Sequence, residues 1–420
     1  MKYVESFTNF NYYSGMKFIH RLLESRIDNI LSRDKSILLL GPRQTGKSTL
    51  LVEQITTNLE YSFLEADVRR RYETNPELLL GELKAYRTLN DNTAKPLVYI
   101  DEIQKIPAIM DTIQYAIDQK LANFVLTGSS ARKLKHNREN IELNLLPGRV
   151  IELRMDALSV LEMSPQMLDI NDLLLNGSLP EIIQQKNASD KEELLNSYVN
   201  IYLEEEVRAE ALVRNLASFS RFLTYAAIGA GKETNINKLS EELGLSRHTL
   251  NEYYRILMDC LVVNRVEPLT KSPSRRRLTK AVKYLFFDLG VRRIAAGEGL
   301  RLPQKYYGDL FEQFVGNEIV KLIHLFLPQA KLKYWHDHAG PEVDYVIEFN
   351  RQYIPIEVKW TETPSRSDAR HVFKFMDEYD CMTPGYIVCR TPKPVQLADN
   401  VIAVGWGSFI SILKDKLASE

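Results

Sequence analysis

Four residues near the N-terminus have the types and spacing of a phosphate-binding loop. Gly41, Gly46, Lys47 and Ser48 follow the pattern glycine, any four residues, glycine, lysine, serine. Glycines let the backbone curl so that its N–H groups point at phosphate oxygens, while the lysine supplies a charge and the serine hydroxyl a ligand for Mg²⁺. An apolar run before the loop and a helix-forming run after it argue against a chance match. The predicted nucleotide-binding residues of this loop are Gly41, Pro42, Arg43, Gln44, Thr45, Gly46, Lys47, Ser48 and Thr49.

A second apolar run, residues 96–100, ends in Asp101 and Glu102. Beside a phosphate loop, this pair predicts that Asp101 and Ser48 hold Mg²⁺ and that Glu102 polarises the attacking water. The alternative interpretation is a strand end that caps a helix. Thr127 ends a further apolar run, where it is either a sensor of the γ-phosphate or a turn hydroxyl bonded to backbone. With Lys47 and Glu102 in catalytic roles, the predicted chemistry is hydrolysis of ATP with Mg²⁺.

Charged residues alternate with apolar ones near the C-terminus. Asp344 lies in one predicted strand, and Glu357 and Lys359 lie in the next, so the two-residue period of a strand allows these three side chains to converge. Asp344 and Glu357 would then be metal ligands, and Lys359 would orient a water or steady a phosphate. A preceding amphipathic helix offers Glu318, or else Glu312, as a further catalytic carboxylate. The alternative is the solvated face of a one-sided sheet.

Between these regions lies a pattern typical of a helix-turn-helix. Residues 237–257 contain a helix, a turn at Gly244 and a second helix capped by Ser246, and the apolar runs 260–266 and 283–288 are predicted as strands of a wing. Such a unit contacts either DNA or another protein. The polar residues that would contact DNA are Arg247, His248, Asn251, Arg255, Lys271, Arg275, Arg276, Arg277 and Lys280.

Strands that alternate with helices predict an α/β fold with a mostly parallel sheet and with ligands at the carboxyl ends of the strands. An amphipathic helix over residues 16–32 is expected to cover one face of that sheet. The expected domains are a P-loop domain (1–155), a helical lid or linker interrupted at 177–180 (156–218), a winged helix-turn-helix (219–300) and a C-terminal α/β domain (301–420).

The composition limits the classes of function. The 420 residues are 45% hydrophobic and carry a formal net charge of −1, so no global field draws the molecule onto nucleic acid or a membrane. The three cysteines have no metal-like spacing, and neither have His336 and His338. No apolar signal core and no run of about 18 apolar residues is present. These features predict a soluble, cytoplasmic protein.

The order of the motifs resembles that of bacterial and archaeal AAA-type P-loop ATPases that carry a C-terminal domain similar to PD-(D/E)xK nucleases. The segments that carry the resemblance are 41–48, 99–104, 126–130, 148–149, 177–181, 342–344 and 356–359. The resemblance implies an AAA-like nucleotide-binding domain, a helical bundle, a winged helix and a nuclease-like fold. It also implies that Arg149 senses or completes a nucleotide site, either its own or a neighbour's. The alternative for Arg149 is a surface strand residue.

Three classes of function stay open at this point. The first is an ATP-gated nuclease, and the second is a DNA-binding ATPase whose nuclease fold is inactive. The third is a signalling or assembly ATPase whose C-terminal half binds protein. The expected partners are ATP or ADP, DNA, and further copies of the chain.

Overall fold

The computed structural model describes residues 18–90, 95–130, 146, 148–203, 216–269, 280–301, 303–337 and 340–420. Lys271, Arg275, Arg276, Arg277 and His338, which the sequence singled out, lie outside these residues. Among the described helices, none is long and apolar enough to cross a membrane.

Five parallel strands form the N-terminal sheet, in the order β2-β3-β4-β1-β5. They are β1 (Ser36–Leu40), β2 (Leu59–Ser62), β3 (Leu97–Asp101), β4 (Asn123–Gly128) and β5 (Val150–Arg154). Strand β1 is buried along its whole length, as expected for a central parallel strand with both faces covered. The predicted α/β fold with a parallel sheet is confirmed.

Helices cover both faces of this sheet. They are α1 (Glu24–Ser32), α2 (Lys47–Gln54), α3 (Ala66–Thr74), α4 (Leu78–Leu89) and α5 (Ile109–Asp118). Ile27 and Ile30 of α1 pack in one cluster with Ile37 and Leu39 of β1, so α1 covers the sheet as expected, although it begins at Glu24 and not at residue 16. The opposite face packs on α4 and α5.

A helical segment follows β5 and consists of α6 (Ile170–Asn176), α7 (Pro180–Gln184), α8 (Ala188–Ser197) and a π-helical stretch, Tyr198–Leu203. The predicted interruption falls between α6 and α7. Gly177 has a φ of 73°, and a Cβ at this position would overlap the carboxylate of Asp288. That carboxylate accepts hydrogen bonds from the N–H groups of Ser178 (2.6 Å) and Val291 (3.0 Å). The break is thus fixed by a buried carboxylate more than a hundred residues away in sequence.

The next unit contains α9 (Leu216–Ile228), α10 (Ile236–Leu243), α11 (Arg247–Asp259), the strands β6 (Val263–Pro268) and β7 (Lys283–Phe286), and α12 (Leu289–Ala295). The turn and the cap lie at the predicted residues. Gly244 ends α10 with a φ of 66°, and the Ser246 hydroxyl accepts a hydrogen bond from the N–H of Thr249 at 3.1 Å. Strands β6 and β7 pair antiparallel.

The C-terminal region begins in the order helix, three strands, helix, strand and ends with two more strands and a helix. Its elements are α13 (Tyr307–Phe326), β8 (Lys331–His336), β9 (Glu342–Phe349), β10 (Gln352–Val358), α14 (Arg370–Glu378), β11 (Gly385–Cys389), β12 (Val395–Ala398), β13 (Val401–Gly405) and α15 (Trp406–Ala418). Strands β9 and β10 form the expected antiparallel hairpin, and β11 joins β10 in parallel.

A single sheet of eight strands joins the last two units, in the order β12-β13-β11-β10-β9-β8-β6-β7. The junction is the parallel pairing of β6 with β8, through Glu267 opposite Lys333 and Pro268 opposite Tyr334. The regions 219–300 and 301–420, expected as separate domains, therefore share one sheet. As a result β7 lies close to the carboxylates of the C-terminal region.

Candidate functional site

The phosphate loop lies where β1 ends and α2 begins. Gln44 and Gly46 have φ values of 59° and 92°, so the backbone curls twice within the loop. A Cβ on Gly41 would overlap the carbonyl of Met155, which explains why only glycine fits there. The ammonium of Lys47 is buried and donates to the carbonyls of Gly41 (2.9 Å) and Pro42 (2.8 Å), inside the curl. The loop therefore holds a cation at its centre.

Three side chains converge beside the loop. The Ser48 hydroxyl lies 3.4 Å from both carboxylate oxygens of Asp101, and the Thr127 hydroxyl donates to the same carboxylate at 2.5 Å. Asp101 and Thr127 are buried, whereas Ser48 is exposed toward the mouth of the loop. Tyr99 shares the face of β3 with Asp101, and burial together with the charge of Asp101 raises the pKa of its phenol well above the usual value. The sequence predicted all of these residues except Tyr99.

Glu102 follows β3 in a left-handed backbone conformation, with a φ of 56°. Such a conformation is costly for a residue with a side chain and is concentrated at functional sites. Its carboxylate accepts hydrogen bonds from the amide of Gln104 and from the Ser129 hydroxyl (3.2 Å). Gln104 also donates to Ser129 at 3.0 Å. Two residues that the sequence interpretation did not single out therefore orient Glu102.

Arg149 lies at the opposite edge of the sheet. Strand β5 runs parallel to β1 with Val150 opposite Ser36, so Arg149 precedes the amino end while the loop follows the carboxyl end. Five residues of strand separate the two edges by about 15 Å. Its guanidinium makes a two-pronged ion pair with Asp118, at 2.7 and 2.9 Å. The structure therefore contradicts a role for Arg149 in its own chain's nucleotide site.

A buried arginine links the back of the loop to the helical segment. Arg21 donates to the carbonyls of Thr45 (2.6 Å) and Asp156 (2.8 Å) and forms an ion pair with Glu162 at 3.0 Å. Asp156 in turn pairs with His324 of α13 at 2.7 Å. Burial opposes ionisation of Asp156, but the charges of His324, Arg154 and Lys321 outweigh it and lower the pKa of this carboxyl.

The C-terminal hairpin brings together the three residues predicted there. The register of β9 and β10, with Tyr345 opposite Ile356, places Asp344 next to Glu357. Asp344 accepts a hydrogen bond from the N–H of Val358 at 2.8 Å, and Lys359 donates to Glu357 Oε1 at 2.6 Å. Glu357 is 4% exposed, and its second oxygen, Oε2, has no hydrogen-bond partner among the described residues. A buried carboxylate oxygen without a partner is the feature that a cation would satisfy.

Of the two helix carboxylates, Glu312 lies at this cluster and Glu318 does not. Glu318 accepts hydrogen bonds from the Ser159 hydroxyl (2.8 Å) and the N–H of Val160 (3.1 Å), and pairs with Lys321 at 2.7 Å. It thus ties α13 to the segment after β5, and the predicted catalytic role of Glu318 does not fit this position. Glu312 instead meets Lys283 of β7 at 3.2 Å.

Lys283 also pairs with Glu342 at 2.8 Å, and its ammonium lies 4.8 Å from the ring centre of Tyr334. Burial alone would lower the pKa of Lys283, but the charges of Glu312, Glu342 and Asp344 raise it instead. The ammonium is therefore charged at neutral pH.

Burial and mutual repulsion disfavour full ionisation of the carboxylates in this cluster. The pKa values of Glu312 and Glu357 are both raised, that of Glu357 to about 8. Burial is the larger cause in each case, and the charge of Asp344 is the second. Burial also raises the pKa of Asp344, although Lys283 and Lys359 oppose this. Four carboxylates face two lysines, so the fully ionised cluster lacks two positive charges.

Within the described parts of the chain, no three His, Cys, Asp or Glu side chains are arranged to hold a metal by themselves. Asp344 and Glu357 are a pair of carboxylates, which is the number that Mg²⁺ commonly takes when water and phosphate oxygens complete its shell. Glu357 Oε2 has no hydrogen-bond partner among the described residues, and the fully ionised cluster lacks positive charge. For both reasons this pair of carboxylates fits a divalent cation. His336, which was not predicted as a ligand, pairs with Glu233 at 2.6 Å.

The exposed face of α11 carries the polar residues predicted for a groove-reading helix. Arg247, His248, Asn251 and Arg255 are all exposed, and so is Lys280 before β7. The guanidinium of Arg255 lies 3.9 Å from the carboxylate of Glu252, which offsets part of the positive charge of Arg255.

Comparison with known families divides the chain into three matched segments. Residues 33–164 match the model of an AAA domain, which spans the loop, β3 and β4. This segment is therefore similar to AAA domains. Residues 167–301 match one domain of unknown function (DUF8612), and residues 307–409 match another (DUF4143).

Two curated relatives are uncharacterized proteins of Mycobacterium tuberculosis (strain ATCC 25618 / H37Rv) and Mycobacterium bovis (strain ATCC BAA-935 / AF2122/97). Each is 26% identical over 358 residues, or 84% of this chain and 77% of the relative. Among solved structures, a signal transduction ATPase with a tetratricopeptide repeat sensor from Pyrococcus horikoshii is 10% identical, with a TM-score of 0.26. The match covers 74% of this chain and 47% of that structure, so the chain spans about half its length.

Some of the site residues that the sequence interpretation missed carry a recognisable signal in the sequence. Tyr99 lies two residues before Asp101 in a strand, so the two-residue period places both on one face. Gln104 and Ser129 each follow a strand end at the ligand edge of the sheet. Arg21, His324 and Lys283 carry no such signal, because tertiary packing alone brings them to their partners.

Proposed function

We propose that the protein binds ATP with Mg²⁺ at the AAA domain and hydrolyses it. The observation that carries this proposal is the convergence of Ser48, Asp101 and Thr127 beside a loop that holds Lys47 at its centre. Two oxygen donors at one spot, one of them a buried carboxylate, fit Mg²⁺, which takes few protein ligands. When bound, Mg²⁺ neutralises charge that develops on the phosphates.

The side chains have separate tasks in this proposal. Lys47 and the loop N–H groups bind the β- and γ-phosphates, and Thr127 keeps the Asp101 carboxylate turned toward the loop. Glu102, oriented by Gln104 and Ser129, accepts hydrogen bonds from the attacking water.

Two substitutions test these tasks. Lys47→Ala should abolish binding of a fluorescent ATP analogue, because the loop loses its central cation. Glu102→Gln should retain binding but lower steady-state ATP hydrolysis by about 10²- to 10⁴-fold, since the water loses its acceptor. Glu77→Gln, an exposed site on the same domain, is the control. Hydrolysis by Glu102→Gln at the parental rate would contradict the role of Glu102.

The C-terminal carboxylates support a second activity, cleavage of a phosphodiester bond. The bare oxygen of Glu357 beside Asp344 and Lys359 supports it. The region also begins in the order helix, three strands, helix, strand, which resembles PD-(D/E)xK nucleases. In this proposal Asp344 and Glu357 hold a divalent cation that stabilises the phosphate, and Lys359 orients the attacking water. The exposed polar face of α11 supports DNA as the substrate.

The test is Mg²⁺-dependent cleavage of DNA by the full chain. Cleavage should disappear in Asp344→Ala and persist in Asp377→Ala, which removes a carboxylate from α14 of the same region. Salt-sensitive DNA binding without cleavage would point to an inactive nuclease fold, and absence of DNA binding to a protein partner.

We propose further that the nucleotide state controls the C-terminal region. The support is a continuous set of contacts: Arg21 touches the loop at Thr45 and the carbonyl of Asp156, Asp156 pairs with His324, and α13, which carries His324, also carries Glu312. A shift of the loop would thus reach the carboxylate cluster through one helix.

A further inference from the structure

Lys283 enters the carboxylate cluster from a different structural unit. It is the first residue of β7, the second of the two strands that follow the helix-turn-helix, whereas the carboxylates it meets belong to α13 and β9. Its ammonium lies 3.2 Å from Glu312 and 2.8 Å from Glu342. The residue is 3% exposed, so a phosphate or another large anion has no access to it.

The position of Lys283 divides the cluster into two halves. Glu312 and Glu342 are engaged by Lys283, while Asp344 and Glu357 are engaged by a backbone N–H and by Lys359. Only the second half contains a buried oxygen without a partner among the described residues, Glu357 Oε2. The two halves are close enough to interact, because the charge of Asp344 acts on both Glu312 and Lys283.

Sites with four carboxylates often hold two divalent cations that share ligands. Here one ammonium occupies the place that a second cation would take between Glu312 and Glu342. An ammonium fixed by three contacts, two carboxylates and the Tyr334 ring, is difficult to displace, because two partly buried carboxylates would lose their partner.

We infer that Lys283 is a built-in cation that keeps Glu312 and Glu342 out of the metal shell, so that the C-terminal site takes a single divalent cation. This inference rests on the second activity proposed above, the metal-dependent one. Lys283 is then a positioning residue. Because it belongs to β7, the helix-turn-helix unit controls how many cations the site holds.

The experiment uses the full chain without nucleotide. Electron paramagnetic resonance measures the free Mn²⁺, and the bound Mn²⁺ is the amount added less the free amount. All proteins carry Asp101→Asn, which removes the carboxylate of the AAA domain, and the same chain with Asp344→Asn supplies the blank. The parent should bind a single ion. Lys283→Met, which keeps the side-chain volume and removes the charge, should bind a second ion. Lys283→Arg, which keeps the charge, should again bind a single ion.

A further substitution locates the added ion. Glu342→Gln in the Lys283→Met chain should return the count to a single ion, since the second ion loses a ligand. Thermal unfolding of each variant checks that it folds.

The outcomes separate this inference from the proposal beneath it. Two ions in the parent, or no more ions in a folded Lys283→Met than in the parent, would overturn the role of Lys283. If Lys283→Met does not fold, the number of ions bound by the parent still tests the inference, because two ions in the parent would overturn it. No ion in the parent would overturn the metal-dependent activity. In that case an ion gained by Lys283→Met would still support Lys283 as the cation that excludes a metal. No ion in either chain would overturn both the role of Lys283 and the metal-dependent activity.

Discussion

At the scale of single residues, the two candidate sites use carboxylates in different ways. Asp101 accepts a hydrogen bond from Thr127 and lies beside the exposed Ser48, so its carboxylate is held in position before any ligand binds. Glu357 has one bare oxygen and a carboxylate neighbour, Asp344, so its ionised form is opposed. The first site is therefore ready for a cation, whereas the second releases protons when a cation binds.

A pH dependence follows for Glu357. Burial first, and the charge of Asp344 second, raise its pKa from the ordinary 4.5 to about 8, while the charge of Lys359 lowers it. Between these values the folded protein holds a proton that the unfolded chain has released, so the stabilising effect is present at low pH and is lost as pH rises toward 8. The free energy of unfolding should fall by at most about 1.4 kcal/mol per pH unit from this group.

Urea unfolding at a series of pH values, with chelator present, measures this contribution. Glu357→Gln should lose the extra slope between about pH 5 and 8, while the exposed control Glu77→Gln should keep it. Added Mg²⁺ should flatten the slope of the parent, because a cation favours the ionised carboxylate. A parent and a Glu357→Gln variant with the same slope would show that Glu357 titrates normally.

At the scale of elements, the connection between α6 and α7 shows how a distant side chain fixes a break in a helical segment. Gly177 is needed for two reasons, its φ of 73° and the carboxylate of Asp288 against it. Gly244, which ends α10, has a similar φ of 66° but open space around it. The two glycines also differ in ψ, which is −156° at Gly177 and 29° at Gly244, so Gly177 has both the more restrictive backbone conformation and the steric overlap.

Substitution of these glycines by alanine should give unequal costs. Gly244→Ala should lower the free energy of unfolding by about 1 kcal/mol, the cost of a left-handed backbone for a residue with a Cβ. Gly177→Ala should cost about 1–3 kcal/mol more, because it must displace a buried, hydrogen-bonded carboxylate and adopt a ψ that only glycine tolerates well. Urea unfolding of both variants is the measurement. Equal losses would mean that neither the ψ of Gly177 nor the displacement of Asp288 adds a cost.

The elements themselves were largely predictable, because each one has a local signal. The apolar runs before Gly41 and Asp101 predict central strands, and the alternation around Asp344 and Glu357 predicts a hairpin with both side chains on one face. Which helix carboxylate meets them was not predictable. Glu312 and Glu318 are six residues apart, so they point about 120° apart around α13, and only packing decides which one faces the sheet.

Other features of the sites depend on pairing between distant strands. Lys283 reaches Glu342 because β6 joins β8, a pairing that no local pattern indicates. The resemblance implied that Arg149 serves a nucleotide site, its own or a neighbour's, but the parallel register of β5 puts it at the edge away from its own chain's loop. Sequence patterns thus predicted which residues lie at strand ends, and the topology decided which ends meet.

At the scale of the whole molecule, α13 is the element that connects the carboxylate cluster to the segment behind the phosphate loop. Arg26 of α1 donates to the carbonyls of His324 and Leu325 at 2.8 Å, and Lys321 donates to the carbonyl of Leu158 at 2.8 Å. These contacts fasten the C-terminal turns of α13 to the segment behind the phosphate loop. The N-terminal half of the same helix carries Glu312. A helix is stiff along its axis, so displacement at one end is transmitted to the other.

This arrangement predicts that nucleotide changes the stability of α13. In the parent, ADP with Mg²⁺ should slow amide hydrogen exchange in residues 321–326, because an ordered loop fixes Arg21 and, through Asp156, the ring of His324. His324→Ala should weaken this response while ADP affinity stays unchanged, since His324 has no contact with the loop. Coupling of this kind typically amounts to about 1–3 kcal/mol, which exchange measurements resolve. His248→Ala, an exposed histidine on α11, is the matched control and should respond as the parent does. A full response in His324→Ala would mean that the ion pair with Asp156 does not carry the signal, and no response in the parent would mean that the two sites work independently.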